Sequence, residues 1–224
     1  MPPHPVELLR QYDVQNRFEI GVDEAGRGPM FGPLYVGGVV LPVDSAEFRY
    51  DWMKDSKKFS SKRRLAEVAQ HIKDHAVAWH VASVSAETID QINIRQAVFR
   101  GMHECIREVK QKTGASPLSD YMALIDGNDF KPYSVYDDAT ETIEYMRHET
   151  FEKGDGRFCA IAAASILAKH DRDAHILELC ALRPELAERY SIHTNMGYGT
   201  KVHMSAIAEY GMVEGHRFTY KIKK

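Results

Sequence analysis

The run Ala160-Ile161-Ala162-Ala163-Ala164-Ser165-Ile166-Leu167-Ala168 constrains the fold of this chain more than any other stretch. It carries no charge, and its side chains are small or aliphatic. At helical spacing it is apolar on every face, which suits a helix that is buried all round. Its alanines leave the helix backbone nearly bare, so whatever covers it comes close. A β-sheet is the surface that accepts such a helix along its length. The spacing predicts one long helix from Phe158 to Leu182, with Lys169-His170-Asp171-Arg172-Asp173 emerging from the core.

The strands of that sheet are sought in short apolar, β-branched runs. Phe18 to Val22 is the first. Pro33 to Leu41 is the second, apolar on both faces as a central strand is. The short connection between them predicts an antiparallel pair. A third strand is expected over Ala76 to Val84. Ser85 then opens a turn into a helix on which Ile94, Ala97, Val98, Gly101, Met102, Cys105, Ile106 and Val109 share one face. Tyr121 to Ile125 reads as a buried strand that delivers Asp126-Gly127-Asn128, and Met146 to Phe151 as a fifth strand. Residues 129–145 are acidic and irregular, with a short helix expected around Asp137 to Tyr145.

No repeat or low-complexity linker divides the 224 residues. Residues 1–17 read as a lead-in with a short helix over Val6 to Tyr12, and residues 18–224 as a single domain. That domain closes with a helix near Val202 to Tyr210 and a basic, aromatic tail from His216. No apolar run approaches the ~20 residues of a membrane span. Met1-Pro2-Pro3-His4-Pro5 has neither the charged nor the apolar part of a signal peptide. Cys105, Cys159 and Cys180 are odd in number, widely spaced and without zinc spacing, as free thiols of a reducing compartment are. A cytoplasmic protein is expected. The net charge of −3 argues against binding a polyanion through overall charge. Nucleic acid must be met by local basic patches, such as the run Lys54 to Arg64 ahead of a helix capped by Ser60 or Ser61.

Acids stand at the predicted strand ends. Asp23 and Glu24 close the first strand within Gly21-Val22-Asp23-Glu24-Ala25-Gly26-Arg27-Gly28-Pro29, and Asp126 closes the Tyr121 strand. Asp155 sits in the loop Lys153-Gly154-Asp155-Gly156 before the buried helix. A plain turn needs one Gly or Asp rather than two acids followed by Gly-Arg-Gly-Pro. An acidic surface turn remains the alternative on these residues alone. If the strands are neighbours, the carboxylates converge, repel one another and need cations. An all-oxygen set selects Mg²⁺ or Mn²⁺, and two such ions suit in-line displacement at a phosphodiester. One difficulty stands: adjacent residues of a regular strand face opposite sides. Asp23 and Glu24 share a site only if the strand breaks between or just after them.

Taken together, the motifs resemble those of type 2 ribonuclease H (ribonuclease HII). The stretches that carry the resemblance are GVDEAGRGPMFGP, DSKKFSSKRR, NIRQA, IDGN at Asp126, KGDGRFCAIAAASILAKHDRD, GYGTKVH and the HR before the tail, in family order from residue 20 to 217. The resemblance implies an α/β, ribonuclease H-like fold with a mixed five-stranded sheet flanked by helices. It implies an endonuclease whose partners are RNA–DNA hybrids and duplex DNA with embedded ribonucleotides. Such an enzyme cuts 5′ of the ribonucleotide, leaves 3′-hydroxyl and 5′-phosphate ends, and serves ribonucleotide removal from DNA. Asp23, Glu24, Asp126 and Asp155 would hold Mg²⁺ or Mn²⁺ and catalyse. Gly26, Arg27 and Gly28 would read the ribose 2′-OH through their backbone, Tyr198 would stack on the neighbouring deoxyribose, and Lys57 would contact phosphate. The 2′-OH is what distinguishes RNA from DNA at one nucleotide.

On the residues alone, Asp155 could instead cap the buried helix, leaving Asp173 or Asp171 as the fourth acid. Those two lie about 200° apart on a helix and cannot both face one site. The resemblance favours Asp155. A monomer is expected, and the tail shows no Gln-led aromatic sliding-clamp motif. Three departures stand out: Met30-Phe31 where smaller residues are usual, the unmatched stretch 129–145, and His170-Asp171 in place of neutral residues.

Overall fold

A computed structural model describes residues 7–114 and 117–220. Four strands form in turn: β1 (Phe18–Ala25), β2 (Leu34–Val40), β3 (Ala78–Val84) and β4 (Tyr121–Asp126). A small hairpin follows, made of β5 (Ser134–Asp137) and β6 (Thr142–Tyr145), and then β7 (Arg147–Phe151). The main sheet has five strands in the order β3-β2-β1-β4-β7. β2 pairs antiparallel with β1 and β3, while β4 pairs parallel with β1 and β7. The expected mixed five-stranded sheet is therefore present, and β1 lies at its centre.

The helices are α1 (Lys62–His75), α2 (Ala86–Ile92), α3 (Ile94–Lys112), α4 (Cys159–Leu182), α5 (Pro184–Glu188), α6 (Ile192–Asn195) and α7 (Lys201–Tyr210). Ser61 caps α1, its hydroxyl accepting the Arg64 amide, and Leu65, Val68, Ala69 and Ile72 turn inward. Successive residues of β2 show which helix covers which face. A side chain at Gly37 would strike the backbone of Ala164 in α4, and one at Gly38 would strike Cys105 in α3. Since neighbouring strand residues face opposite ways, α3 and α4 sandwich the sheet.

The small-residue run does what its composition demands, for every residue from Ala160 to Ala168 is buried. Gly21 of β1 takes the closest approach. A Cβ placed there would lie 2.1 Å from the carbonyl carbon of Ala160. Helix and strand backbones thus touch directly, and α4 is seated at fixed depth on β1. Beyond the sheet, α5, α6 and α7 gather on the far half of α4. There Met30 and Phe31 are buried with Ile176, Leu186, Tyr190 and Ile207. The bulk that sets Met30-Phe31 apart fills this second core.

Two expectations fail. Residues 7–12 form no helix: Leu9 instead bonds to the backbone of Arg157 and Cys159 in extended form (Val6 lies outside the described residues). The stretch expected to be helical around Asp137 to Tyr145 is the β5–β6 hairpin, with Tyr136 opposite Ile143 and Ser134 opposite Tyr145. No described helix is long and apolar enough to cross a membrane. Cys105, Cys159 and Cys180 are free and buried. Burial pushes the Cys105 thiol up to about 12 and the Cys159 thiol up to about 11.

Candidate active site

At the C-terminal end of β1 the sheet opens. β1 stays paired with β2 as far as Ala25, but its pairing with β4 ends at Val22 and Ile125. Asp126 pairs onward with β7 instead. The strand does not break between Asp23 and Glu24; it ends just after them, at Ala25, and β4 has already left it at Val22. Asp23 shares the face of Gly21 and looks towards α4, while Glu24 shares the face of Ile20 and Val22. With β4 gone, both carboxylates reach the same opening.

Asp23 is 6% exposed, and its Oδ1 accepts the Glu24 amide at 2.7 Å. Burial pushes its carboxyl well above the usual carboxylate range, and the charges of Asp126 and Glu24 push it further. The Ser165 hydroxyl opposes this weakly, and it also lies 3.0 Å from the hydroxyl of Ser56. Burial raises Glu24 as well, against the nearby Arg27, whose Nη1 stands 3.4 Å from Oε1.

Asp126 gathers the next acid. Its Oδ1 accepts the Gly154 amide at 2.6 Å and the Asp155 amide at 3.4 Å. The Lys-Gly-Asp loop is a single tight turn, Gly154–Gly156, hung on that carboxylate. Asp155 does not cap α4; Phe158 occupies the cap position without a side-chain bond. Burial raises the Asp155 carboxyl first, then Asp126 and Asp55, with Lys57 pulling it back. The two aspartates of α4 part company. Asp171 is held by Lys73 at 2.8 Å, whereas Asp173 pairs with Lys169 at 2.7 Å and lines the same opening as the strand-end acids.

That opening is a cavity of about 450 Å³. All nine residues singled out from the sequence line it: Asp23, Glu24, Gly26, Arg27, Gly28, Lys57, Asp126, Asp155 and Tyr198. Gly26 has φ +93°, and a Cβ there would meet Arg172 Nε at 2.3 Å, so the turn needs glycine on both counts. Tyr198 is half exposed. A chain of imidazoles lies behind it: His203 Nδ1 is 3.0 Å from the Tyr198 carbonyl, and His203 Nε2 is 3.1 Å from His216 Nε2. The Val213 amide donates to His216 Nδ1 at 3.1 Å. One tautomer set links the two rings to Tyr198: His216 donates through Nε2 and His203 through Nδ1, while the Val213 carbonyl, 3.0 Å from His216 Nδ1, accepts the His216 amide instead.

Among the described residues, no three His, Cys, Asp or Glu side chains stand close enough to close round one ion. The chemistry of the donor set nevertheless fits a hard divalent cation. Asp23, Glu24, Asp126 and Asp155 present only oxygen, and their mutual repulsion is what a cation relieves.

Sequence reading missed Ser56, Ser165, Lys169 and Arg172, all of which line the cavity, and Arg217 behind it. Arg172 and Arg217 are 2% and 0% exposed. No hydrophobic period marks a buried arginine, and the only traces were the motif stretches that hold them, the one ending at Asp173 for Arg172 and the His-Arg pair before the tail for Arg217.

Comparison with known proteins agrees with this geometry. Residues 20–223 match the model of the family described as Ribonuclease HII. A protein of Phocaeicola vulgatus described as Ribonuclease HII is 38% identical over 215 residues, covering 96% of this chain and 94% of the relative. Among solved structures, ribonuclease H2 from Pyrococcus horikoshii superposes with TM-score 0.69 at 22% identity, covering 91% of this chain and 94% of that one, a likeness of fold. The ribonuclease of the PCNA:RNase HII complex from Archaeoglobus fulgidus gives TM-score 0.63 at 26% identity, covering 92% and 96%. The chain belongs to the ribonuclease HII family, and it is accordingly a type 2 ribonuclease H, a metal-dependent endonuclease.

Proposed function

We propose that this enzyme cleaves the RNA strand of RNA–DNA hybrids and also nicks duplex DNA on the 5′ side of a single embedded ribonucleotide. The observation that supports this reading is the meeting of two sets of residues in one cavity. Asp23, Glu24, Asp126 and Asp155 are the acidic set, and Gly26, Arg27, Gly28, Lys57 and Tyr198 are the substrate set. In this reading the four carboxylates hold two divalent ions, Mg²⁺ or Mn²⁺. Bound there, such ions supply an acidified water and stabilise charge on the leaving oxygen.

The chain's own residues do the rest. The Gly26-Arg27-Gly28 backbone approaches the ribose, where only hydrogen-lined backbone fits so close. The Tyr198 ring packs on the next sugar and rejects a second 2′-OH. Lys57 meets a backbone phosphate as a point charge. Water adds to phosphorus and the bond to the 3′-oxygen breaks, giving 3′-hydroxyl and 5′-phosphate ends. Residues 18–224 act as one catalytic unit, monomeric and cytoplasmic, in ribonucleotide removal during DNA replication and repair.

A single substrate pair tests the reading. With Mg²⁺ or Mn²⁺, a duplex carrying one ribonucleotide is expected to be nicked once, 5′ of that residue, and a long hybrid is expected to be cut as well. Chelation should stop both reactions. Cleavage of the hybrid alone would leave a hybrid nuclease with no preference for the ribonucleotide–DNA junction.

A further inference from the structure

Arg217 is wholly buried, yet among the described residues no carboxylate pairs with it. A buried cation without an ion pair costs folding several kcal/mol unless its donors are all satisfied. They are. Nε donates to the Gly32 carbonyl at 3.0 Å, and Nη2 to the same carbonyl at 2.9 Å and to the Gly26 carbonyl at 2.6 Å. Nη1 donates to the Arg27 carbonyl at 3.1 Å and to the Tyr220 hydroxyl at 2.9 Å. The Tyr220 hydroxyl in turn donates to the Arg27 carbonyl at 2.7 Å. An apolar side chain of similar volume would fold more cheaply, but it would leave these loop carbonyls unpaired.

Two of the three acceptors, the Gly26 and Arg27 carbonyls, belong to the turn that the proposed mechanism sets against the ribose. A trans peptide is planar, with the C=O of one residue and the N–H of the next pointing opposite ways. Drawing the Gly26 and Arg27 carbonyls towards Arg217 therefore turns the Arg27 and Gly28 amides the other way. Both residues line the cavity, and among the described residues neither amide meets a protein acceptor. The anchor itself is fixed, since the Arg217 amide donates to the Met30 carbonyl and the Gly32 amide to the Gly215 carbonyl, both at 2.8 Å.

We propose that Arg217, assisted by Tyr220, is a positioning residue for substrate reading: its guanidinium holds the Gly26-Arg27-Gly28 backbone with the Arg27 and Gly28 amides aimed into the cavity. The proposal rests on the reading of that turn as the ribose contact. Arg217 touches no substrate; it acts through the turn.

The test uses Arg217→Lys, which keeps the charge but loses the fork that spans three carbonyls, and Tyr220→Phe, which removes one hydroxyl. For each, kcat and KM are measured on the single-ribonucleotide duplex and on the long hybrid, with the folded fraction taken from thermal melts. Arg217→Lys is expected to lose about tenfold or more on the single-ribonucleotide duplex relative to the hybrid, mostly in kcat. Tyr220→Phe should shift the ratio the same way by less. If both variants are folded and both substrates fall in parallel, Arg217 only stabilises the fold and the proposal is overturned. Should Arg217→Lys fail to fold, Tyr220→Phe decides: an unchanged ratio overturns the proposal, a shifted one supports it. Tyr198→Ala separates the layers, because a ratio moved by Tyr198→Ala but not by these variants leaves the ribose reading standing without Arg217. A wild-type enzyme that cannot nick at a single ribonucleotide removes the reading and the proposal with it.

Discussion

Asp23, Glu24, Asp126 and Asp155 come to the cavity from strand ends and one tight turn, whereas Gly26, Arg27, Gly28 and Tyr198 come from connections braced by the C-terminal segment. The two sets are held by opposite means. Asp23, Glu24 and Asp155 are raised first by burial, and the charge of Asp126 adds to each, so the acidic set is under electrostatic load in the protein alone. In the substrate set, the carbonyls of Gly26, Arg27 and Gly32 go to Arg217, and that of Tyr198 goes to His203. The first set is left for a cation to complete. The second is completed by the chain itself and needs nothing bound to hold its shape. In the proposed reading, a site assembled this way keeps its substrate-facing turn rigid while its charge stays unbalanced until a cation binds.

Four substitutions probe that contrast, from the largest expected effect to the smallest. Asp126→Asn should lower turnover by about 1000-fold or more. The asparagine oxygen can still accept the Gly154 amide, so the melting curve should stay near wild type. Turnover close to wild type would remove Asp126 from the acidic set. Gly21→Ala forces a methyl into the Ala160 backbone and should destabilise the fold by about 3 kcal/mol in denaturant melts. A cost near zero would mean that α4 can lift away, and that the wall behind the acids is not rigid. Tyr198→Ala should cut single-ribonucleotide cleavage by about tenfold while changing duplex affinity little; equal losses in both would take Tyr198 out of the reading set.

The smallest effect carries a sign. The folded pKa of Asp23 is raised, so the folded state holds its proton more tightly than the unfolded chain does. Its contribution is therefore most favourable below the ordinary carboxylate range and is lost as pH rises through the folded value. In metal-free buffer, Asp23→Asn should stabilise the protein by about 1 kcal/mol near neutral pH, with the gain vanishing below about pH 4. Urea melts at the two pH values would show it, and a gain independent of pH would mean the charge is not the load.

Much of this was legible in the sequence for definite reasons. β1, β2, β4, α3 and α4 announce themselves because their side chains are buried, those of α3 at helical spacing, whereas β7 shows only through buried Met146 and Phe151 at its two ends, its middle being largely exposed. The β5–β6 hairpin does not, since Val135, Tyr136, Ile143 and Tyr145 are all exposed and each strand is only four residues long. Without burial, period two in so short a run has no weight against helix propensity. The four acids and the Gly-Arg-Gly turn were marked by chemistry that a plain turn does not require, Lys57 lay within a basic run, and Tyr198 was reached only through the resemblance to ribonuclease HII. How Asp23 and Glu24 share an opening was hidden, because the cause lies in β4, about a hundred positions away, which leaves β1 one residue before the acids. Arg172 and Arg217 were hidden too, since in composition they are ordinary surface cations.

The pairing of Val22 with Ile125 joins parts of the chain about a hundred positions apart, and the bond from Arg217 to the Arg27 carbonyl spans 190 positions. Contacts so distant along the chain form slowly, because a long loop must close before they are rewarded. A growing or half-folded chain therefore exposes isolated carboxylates beside a slack turn and has no assembled cleft. The cleft exists only in the folded chain, and loosening the segment around Arg217 would free the Gly26 and Arg27 carbonyls while the strand ladder of β1 and β2 remains.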